Sequence, residues 1–391
     1  MKKKIGLVLR TKPGAGGAFQ YSLAVLEALA SLPESEFQVV ICYLSDSWLE
    51  FLEGSSWLNI EIPHNFKEKS LNLLSRGLRN VLPMSWWRFL SPYVYPVAKT
   101  LVKQRCDLWI FPGPDFWAYQ IPVNSIAVIF DLMHRYERHF PEVAEEYEIR
   151  ERDYHSLCKW TNGVLVDSEV GKQQLMESYG ITQDKVHVLP YIPPSYIYKT
   201  NDIENFDIKY GLPQKFIFYP AQFWEHKNHK GLLRAAATLK YKIPDLSLVF
   251  IGTKKNGYDS TLKLVEDLEL KDNIRFCGYV PNSDIPEFYR RSRAMIMPTF
   301  FGPTNIPPLE AIALGTPAAV SDIYGMREQM GDSVLYFDPH SIEEIASAIE
   351  QLWNDDELCK ELSSRGLDRS KQWNQSHFNQ RLREIINLRI H

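Results

Sequence analysis

Pro298-Thr-Phe-Phe-Gly-Pro-Thr-Asn-Ile-Pro-Pro-Leu-Glu310-Ala-Ile-Ala-Leu-Gly-Thr-Pro-Ala-Ala-Val-Ser321 follows the apolar run Ala294-Met-Ile-Met297. The run reads as a buried strand and the Gly/Pro/Thr/Asn segment as a loop. Pro307-Pro308 opens a short helix that Gly315 closes. Thr304 and Asn305 are capping residue types. Proline is tolerated in a first helical turn, where its missing N–H has no intrahelical partner to lose. Backbone N–H groups at that helix end make a seat for phosphate or sugar oxygens. Glu310 stands one turn in, placed to accept hydrogen bonds from a diol. Strand, loop, helix end and carboxylate together make a candidate nucleotide-sugar site.

The same grammar repeats outward from this stretch. Short apolar runs separated by helical patterns occur at Ile5–Arg10, Gln38–Leu44, Asp107–Phe111, Ile126–Phe130, Gly163–Asp167 and Val186–Leu189. They recur at Phe216–Pro220, Ser247–Ile251, Ile274–Cys277, Ala294–Met297, Pro317–Val320 and Val334–Phe337. Continuous apolar strands alternating with amphipathic helices predict parallel sheets covered on both faces. Six strands in each half predict an α/β protein of two doubly wound, Rossmann-like domains. Three prolines within Pro190–Lys199, followed by a polar run, mark the break. The expected domains are 1–195 and 200–373, with a last helix, near 374–391, packing back onto the first.

A chain of 391 residues fits two domains. Its 44 basic and 48 acidic residues are interspersed, with a net charge of −4, which argues against general nucleic-acid binding. The five cysteines are odd in number and form no CxxC, as expected of reduced thiols in a cytosolic protein. The apolar run that ends at Arg10 is too short for a signal peptide, and no apolar segment is long enough to span a membrane. Ser70–Thr100 mixes Trp86, Trp87, Phe89 and Tyr93 with Arg76, Arg79, Arg88 and Lys99. That mixture suits docking on an anionic membrane surface, or else a core-packing or acceptor-binding segment.

The second half holds three further blocks. They are Tyr219-Pro-Ala-Gln-Phe-Trp-Glu-His-Lys227-Asn228, Ile274-Arg-Phe-Cys-Gly278-Tyr-Val280 and Tyr336-Phe-Asp338-Pro339. With the stretch around Glu310, and in this order, they resemble retaining glycosyltransferases of the GT-B fold, specifically family 4. The resemblance implies two domains facing across a cleft, a nucleotide-sugar donor and a glycan or lipid-linked acceptor. It implies no cofactor and no obligatory metal; the cysteines point to the cytoplasm, and the Ser70–Thr100 stretch to peripheral contact with a membrane. By it, Lys227 binds the donor diphosphate and the backbone of Tyr279 and Val280 holds the nucleobase. Glu310 binds the ribose, and the amides of Thr304, Asn305 and Ile306 hold phosphate and sugar.

Two positions depart from the family pattern. Gln222 stands where an arginine is usual, so another basic group has to supply that charge. Gly302 stands where a second glutamate is usual, which moves weight onto Thr304 and Asn305.

In the first half, Ile5–Arg10 leads into Thr11-Lys-Pro-Gly14-Ala-Gly16-Gly17 and an amphipathic helix from Ser22. Glycines there let backbone approach a ligand, and Gly16-Gly17 matches the family's paired glycine beside the donor phosphates. Asp131 and His134 follow Ile126–Phe130, where they can reach an acceptor hydroxyl. His139 reads as structural, and Ser168 as a helix N-cap. The expected activity is metal-independent, retaining transfer of a hexose-type sugar in polysaccharide or glycan assembly, mannosyl- or rhamnosyltransferase-like. The rivals are a sugar-nucleotide epimerase and a non-catalytic nucleotide-sugar-binding protein.

Overall fold

The computed structural model describes residues 2–12, 16–62, 79, 81–199 and 203–390. Of the stretches singled out above, residues 13–15, 70–78 and 80 lie outside that set.

Two compact units are present. The first comprises Met1–Leu132, Glu148–Pro190 and Gln375–His391, and the second Met133–Tyr147 and Tyr191–Asn374. In the first, strands β1 (Lys3–Leu9), β2 (Phe37–Tyr43), β3 (Leu58–Glu61), β4 (Leu108–Phe111), β5 (Ser125–Val128), β6 (Gly163–Val166) and β7 (Val186–Val188) form one sheet in the order β3-β2-β1-β4-β5-β6-β7. In the second, β8 (Ile217–Pro220), β9 (Leu248–Ile251), β10 (Ile274–Gly278), β11 (Ala294–Met297), β12 (Ala318–Ser321) and β13 (Leu335–Phe337) follow the order β10-β9-β8-β11-β12-β13. The paired strands are parallel throughout. Both sheets therefore reverse their winding once, between β1 and β4 and between β8 and β11. Ligands of open α/β sheets bind beyond the strand ends at such a reversal.

The local chemistry explains the elements. Every residue of β4, β5, β6, β9, β11 and β12 is buried, as the continuous apolar runs require of strands covered on both faces. The helix His229–Leu239 starts where Asn228 takes a left-handed φ of 56° and its side chain accepts the Gly231 N–H at 3.0 Å. Such a cap stabilises a helix by about 1 kcal/mol. Leu232, Leu233, Ala235, Ala236 and Leu239 then form its buried face.

Each of the twelve predicted runs contains a strand, and three expectations are corrected. The first sheet has a seventh strand, β3, whose residues are mostly exposed at the sheet edge. The first helix spans Gly17–Ala30 and begins well before Ser22, because Phe19 packs its ring 4.7 Å from that of Trp48. Residues 133–147, expected in the N-terminal domain, group with the second unit. Met133, Phe140 and Val143 share a small apolar cluster with Phe301, against which Phe300 and Tyr324 pack.

The helix Gln375–Arg389 completes the first unit. Its Phe378, Leu382, Ile385 and Ile386 are buried, with the Phe378 ring 6.0 Å from that of Tyr21. Lys3 donates to Asn387, and Arg389 donates to His187 of β7 at 2.8 Å.

Candidate functional site

The reversal between β8 and β11 places two loops side by side. Residues 221–228 leave β8, and residues 298–305 leave β11. They are stitched together by the Phe300 N–H, which the His226 carbonyl accepts at 2.8 Å. The Thr299 hydroxyl donates to the same carbonyl at 3.2 Å. The backbone of Lys227 is fixed at both ends: its N–H donates to the Trp224 carbonyl at 3.0 Å, and its own carbonyl accepts the Tyr219 phenol at 2.8 Å. The Lys227 ammonium then lies 3.5 Å from Asn305 Oδ1, at the outer limit of a hydrogen bond. The structure thus brings Lys227 and Asn305 together at the mouth of the helix Ile306–Ala313.

That mouth is less rich in amides than its position suggests. Asn305 is the N-cap by backbone, but its side chain makes no capping bond. Its N–H is already donated to Gln329 Oε1 at 3.0 Å, and its carbonyl accepts from Gln329 Nε2 at 2.9 Å. Pro307 and Pro308 have no N–H to offer. In the first turn, Ile306 keeps the donor its neighbours lack. Thr304 is buried beside it.

Gly302 has φ +128°, a conformation that L side chains rarely adopt. A Cβ there would meet the Asn305 amide at 2.7 Å. A side chain at 302 and the present position of Asn305 are mutually exclusive. The Asn305 amide therefore stands where the first side-chain atom at position 302 would be. Gln222, the other departure, accepts from Trp224 Nε1 at 2.9 Å. Lys255, on the loop after β9, holds its ammonium 4.8 Å from the Trp224 ring.

Glu310 is 4% exposed. Its Oε1 accepts the Tyr196 phenol, and its Oε2 accepts the Tyr289 phenol at 2.7 Å. Burial pushes the carboxyl above its ordinary value, while the two phenols pull it back. Burial also raises both phenols well above theirs, with the Glu310 charge adding to the effect. The carboxylate read as an open acceptor for a diol is thus already bonded at both oxygens. Tyr279 follows β10 and points to solvent at 66% exposure, whereas Val280 is buried.

Segment 133–147 reaches the same loops. Glu142 Oε1 accepts the His226 N–H at 3.0 Å and lies 2.5 Å from the ring Nδ1. Its Oε2 accepts the Asn256 amide at 2.8 Å. Burial opposes the Glu142 charge, but these donors together hold its carboxyl down at about 2. Glu137 accepts the Tyr324 phenol at 2.7 Å. His134 is buried, its ring 5.9 Å from that of Tyr147. His139 is mostly exposed, its ring nitrogen 3.6 Å from Glu137.

In the first unit, Asp131 pairs with Arg150 at 3.1 Å, and it belongs to a different unit from His134. Gly16 has φ 61° and caps the helix that Gly17 begins. Ser168 caps its helix by accepting the Gly171 N–H at 3.0 Å. At the reversal between β1 and β4, Arg10 bonds the partly buried Asp115 at 2.6 Å and stacks 4.3 Å above Trp117. Sequence reasoning missed this pair. The signal was a cation closing an apolar strand that feeds a glycine loop. Tyr196, Tyr289, Gln329 and Glu142 were missed as well, each far along the chain from the residue it serves.

Residues 201–369 match the family described as Glycosyl transferases group 1. Across 91% of its length the chain is 24% identical to the O-antigen chain mannosyltransferase B of Escherichia coli, covering 92% of that protein. It is similar in structure to a glycosyltransferase of Rickettsia africae ESF-5, with TM-score 0.71 and 18% identity over 98% of this chain and 97% of that one. It is also similar to Anabaena Alr3699/HepE in complex with UDP and glucose, with TM-score 0.75 and 16% identity over 98% and 99%. At these identities the structural likeness speaks for the fold.

Proposed function

We propose that the chain works as a glycosyltransferase in glycan assembly, a reading supported by the match of residues 201–369 to the family described as Glycosyl transferases group 1. The donor is a nucleotide-diphosphate sugar, and the product is a glycosidic bond to a hydroxyl of a glycan or lipid-linked acceptor. The observation that carries this reading is the Lys227 ammonium 3.5 Å from Asn305, at a helix mouth beside the reversal of the second sheet. A diphosphate set there meets a cation on a pinned backbone, the Ile306 amide and the Asn305 side chain. Lys255, beside Trp224, supplies the second positive charge that Gln222 cannot.

Fixed donors aimed at a leaving group stabilise developing charge without reorganisation. Transfer is metal-independent on this reading, because the cations and amides take the part of a divalent ion. It is retaining: the acceptor oxygen attacks the sugar from the face the diphosphate leaves, and a leaving phosphate oxygen takes its proton. Asp131 and His134 orient the acceptor. Mannose is the sugar favoured by the E. coli relative's name. The protein works in the cytoplasm and meets a lipid-linked acceptor as a peripheral visitor. The rival readings, epimerase and non-catalytic binder, have no support among these relatives.

The test is a thermal-shift screen with UDP-, GDP- and dTDP-sugars. A ligand bound by the folded state alone raises the melting temperature with concentration. Lys227→Ala and Glu310→Ala should lose that response. A wild-type protein that responds to none of the nucleotides overturns the reading.

A further inference from the structure

The helix Met84–Val94 turns Trp87 and Ser91 inward, and its Arg88 donates to the Tyr119 carbonyl at 2.5 Å. Its opposite face carries Trp86, Phe89 and Tyr93, exposed at 61%, 67% and 79%, with Val81 just before it at 82%. Spacings of three and four residues put those rings side by side on one surface. A water-facing helix surface is ordinarily polar, and three adjacent large aromatics mark a contact face.

The surrounding charge says what kind of contact. From Lys69 to Cys106 the sequence holds Lys69, Arg76, Arg79, Arg88, Lys99, Lys103 and Arg105 and no aspartate or glutamate. Elsewhere acids outnumber bases, since the whole chain has 48 against 44. The next helix, Pro96–Lys103, exposes Lys99 and Lys103 one turn apart, and Arg105 is exposed beyond it. Tryptophan and tyrosine favour the boundary between lipid headgroups and acyl chains, and cations beside them favour anionic headgroups.

We infer that the Trp86–Phe89–Tyr93 face docks on an anionic lipid surface, with Lys99 and Lys103 supplying the electrostatic part. The inference rests on the reading above in one respect, that the acceptor is lipid-linked; it gives the surface by which the enzyme would reach it. A protein partner or a second copy of the chain would need no stretch cleared of acids.

The experiment is co-sedimentation of the full chain with vesicles of phosphatidylcholine, alone or mixed with phosphatidylglycerol. The protein should pellet with the mixed vesicles and far less with the neutral ones. Trp86→Ser with Phe89→Ser should lower partitioning about tenfold or more, since each ring removes a buried apolar contact. Lys99→Glu with Lys103→Glu should lower it by about fivefold or more per site. All four positions are exposed or surface-directed, so both variants should melt like the wild type. Equal pelleting of the wild type and the serine variant overturns the inference, and so does no pelleting with either vesicle. A dimer in sedimentation velocity that the serine variant abolishes would place a second copy on this face and overturn it too. Nucleotide-induced thermal shifts, measured on the same variants, report separately on the donor reading.

Discussion

The two ends of the candidate site in the second unit are built on opposite principles. At one end Lys227 stands partly exposed on a backbone fixed by Tyr219 and Trp224, its ammonium 3.5 Å from Asn305 Oδ1. At the other, Glu310 is buried and bonded to two phenols. A partly exposed cation differs from a buried carboxylate that has to change partners. Recognition by the second costs a hydrogen bond to a charged group, about 1.5–3 kcal/mol, before the diol gives it back.

The largest effect should come from the open end. Lys227→Ala should lower turnover on the order of 100-fold or more, since it removes charge from the leaving group. Its melting temperature without ligand should stay near wild type. Glu310→Ala should add a stability loss that Lys227→Ala lacks. It leaves the partly buried Tyr196 phenol without its acceptor and the buried Tyr289 phenol with only the Pro307 carbonyl at 3.2 Å, a loss of about 1–3 kcal/mol visible in denaturant unfolding. Equal stability losses in the two variants would erase the contrast between the ends.

Gly302→Glu tests whether the departure at that position is built in. The substitution forces a side chain onto φ +128° and against Asn305, at a cost of about 1–3 kcal/mol. It should lower activity rather than improve it. Higher activity would mean that Asn305 yields its place to the new side chain.

Tyr196→Phe is the sharper probe of the closed end. Removing one phenolic donor should destabilise the unliganded protein by about 1 kcal/mol. It should also tighten nucleotide binding by about two- to tenfold, because the ribose no longer competes with Tyr196. Weaker nucleotide binding, by calorimetry, would make Tyr196 a support of the bound state instead.

The smallest effect should be the pH dependence of Glu142. Its carboxyl is held below the unfolded value of about 4.3. The stability it contributes is therefore present above about pH 5 and lost as the pH falls toward 2. Wild type should melt higher than Glu142→Gln at neutral pH, and the two should converge in acid.

The sequence made the repeating part of this molecule legible. Six strands, β4, β5, β6, β9, β11 and β12, are buried along their whole length, so each writes itself as a continuous apolar run. β3 escapes because Leu58-Asn59-Ile60-Glu61 lies exposed at an edge, where only alternation remains as a signal. The motif around Glu310 was readable for the same local reason: strand, loop and helix follow each other within a few residues. Its phenolic partners were not, because Tyr196 lies 114 residues away and Tyr289 lies 21. Segment 133–147 follows a strand of the first sheet, and contacts such as the stacking of Phe140 on Phe300 and the Glu142 bonds to His226 and Asn256 reveal where it belongs. Gly302 could be seen as an exception, but the reason for it, an asparagine three residues on, needed coordinates.

The helix Gln375–Arg389 has a consequence for biosynthesis. Its buried face completes a unit whose first strand begins at Lys3. The ribosome therefore makes the whole second unit while the first still lacks its closing piece. A nascent chain paused anywhere in that interval exposes the flank of the helix Gly17–Ala30 that Phe378 and its neighbours later cover. Cutting the chain at Pro190 would not liberate a finished N-terminal half, whereas grafting residues 375–389 onto that fragment should restore one.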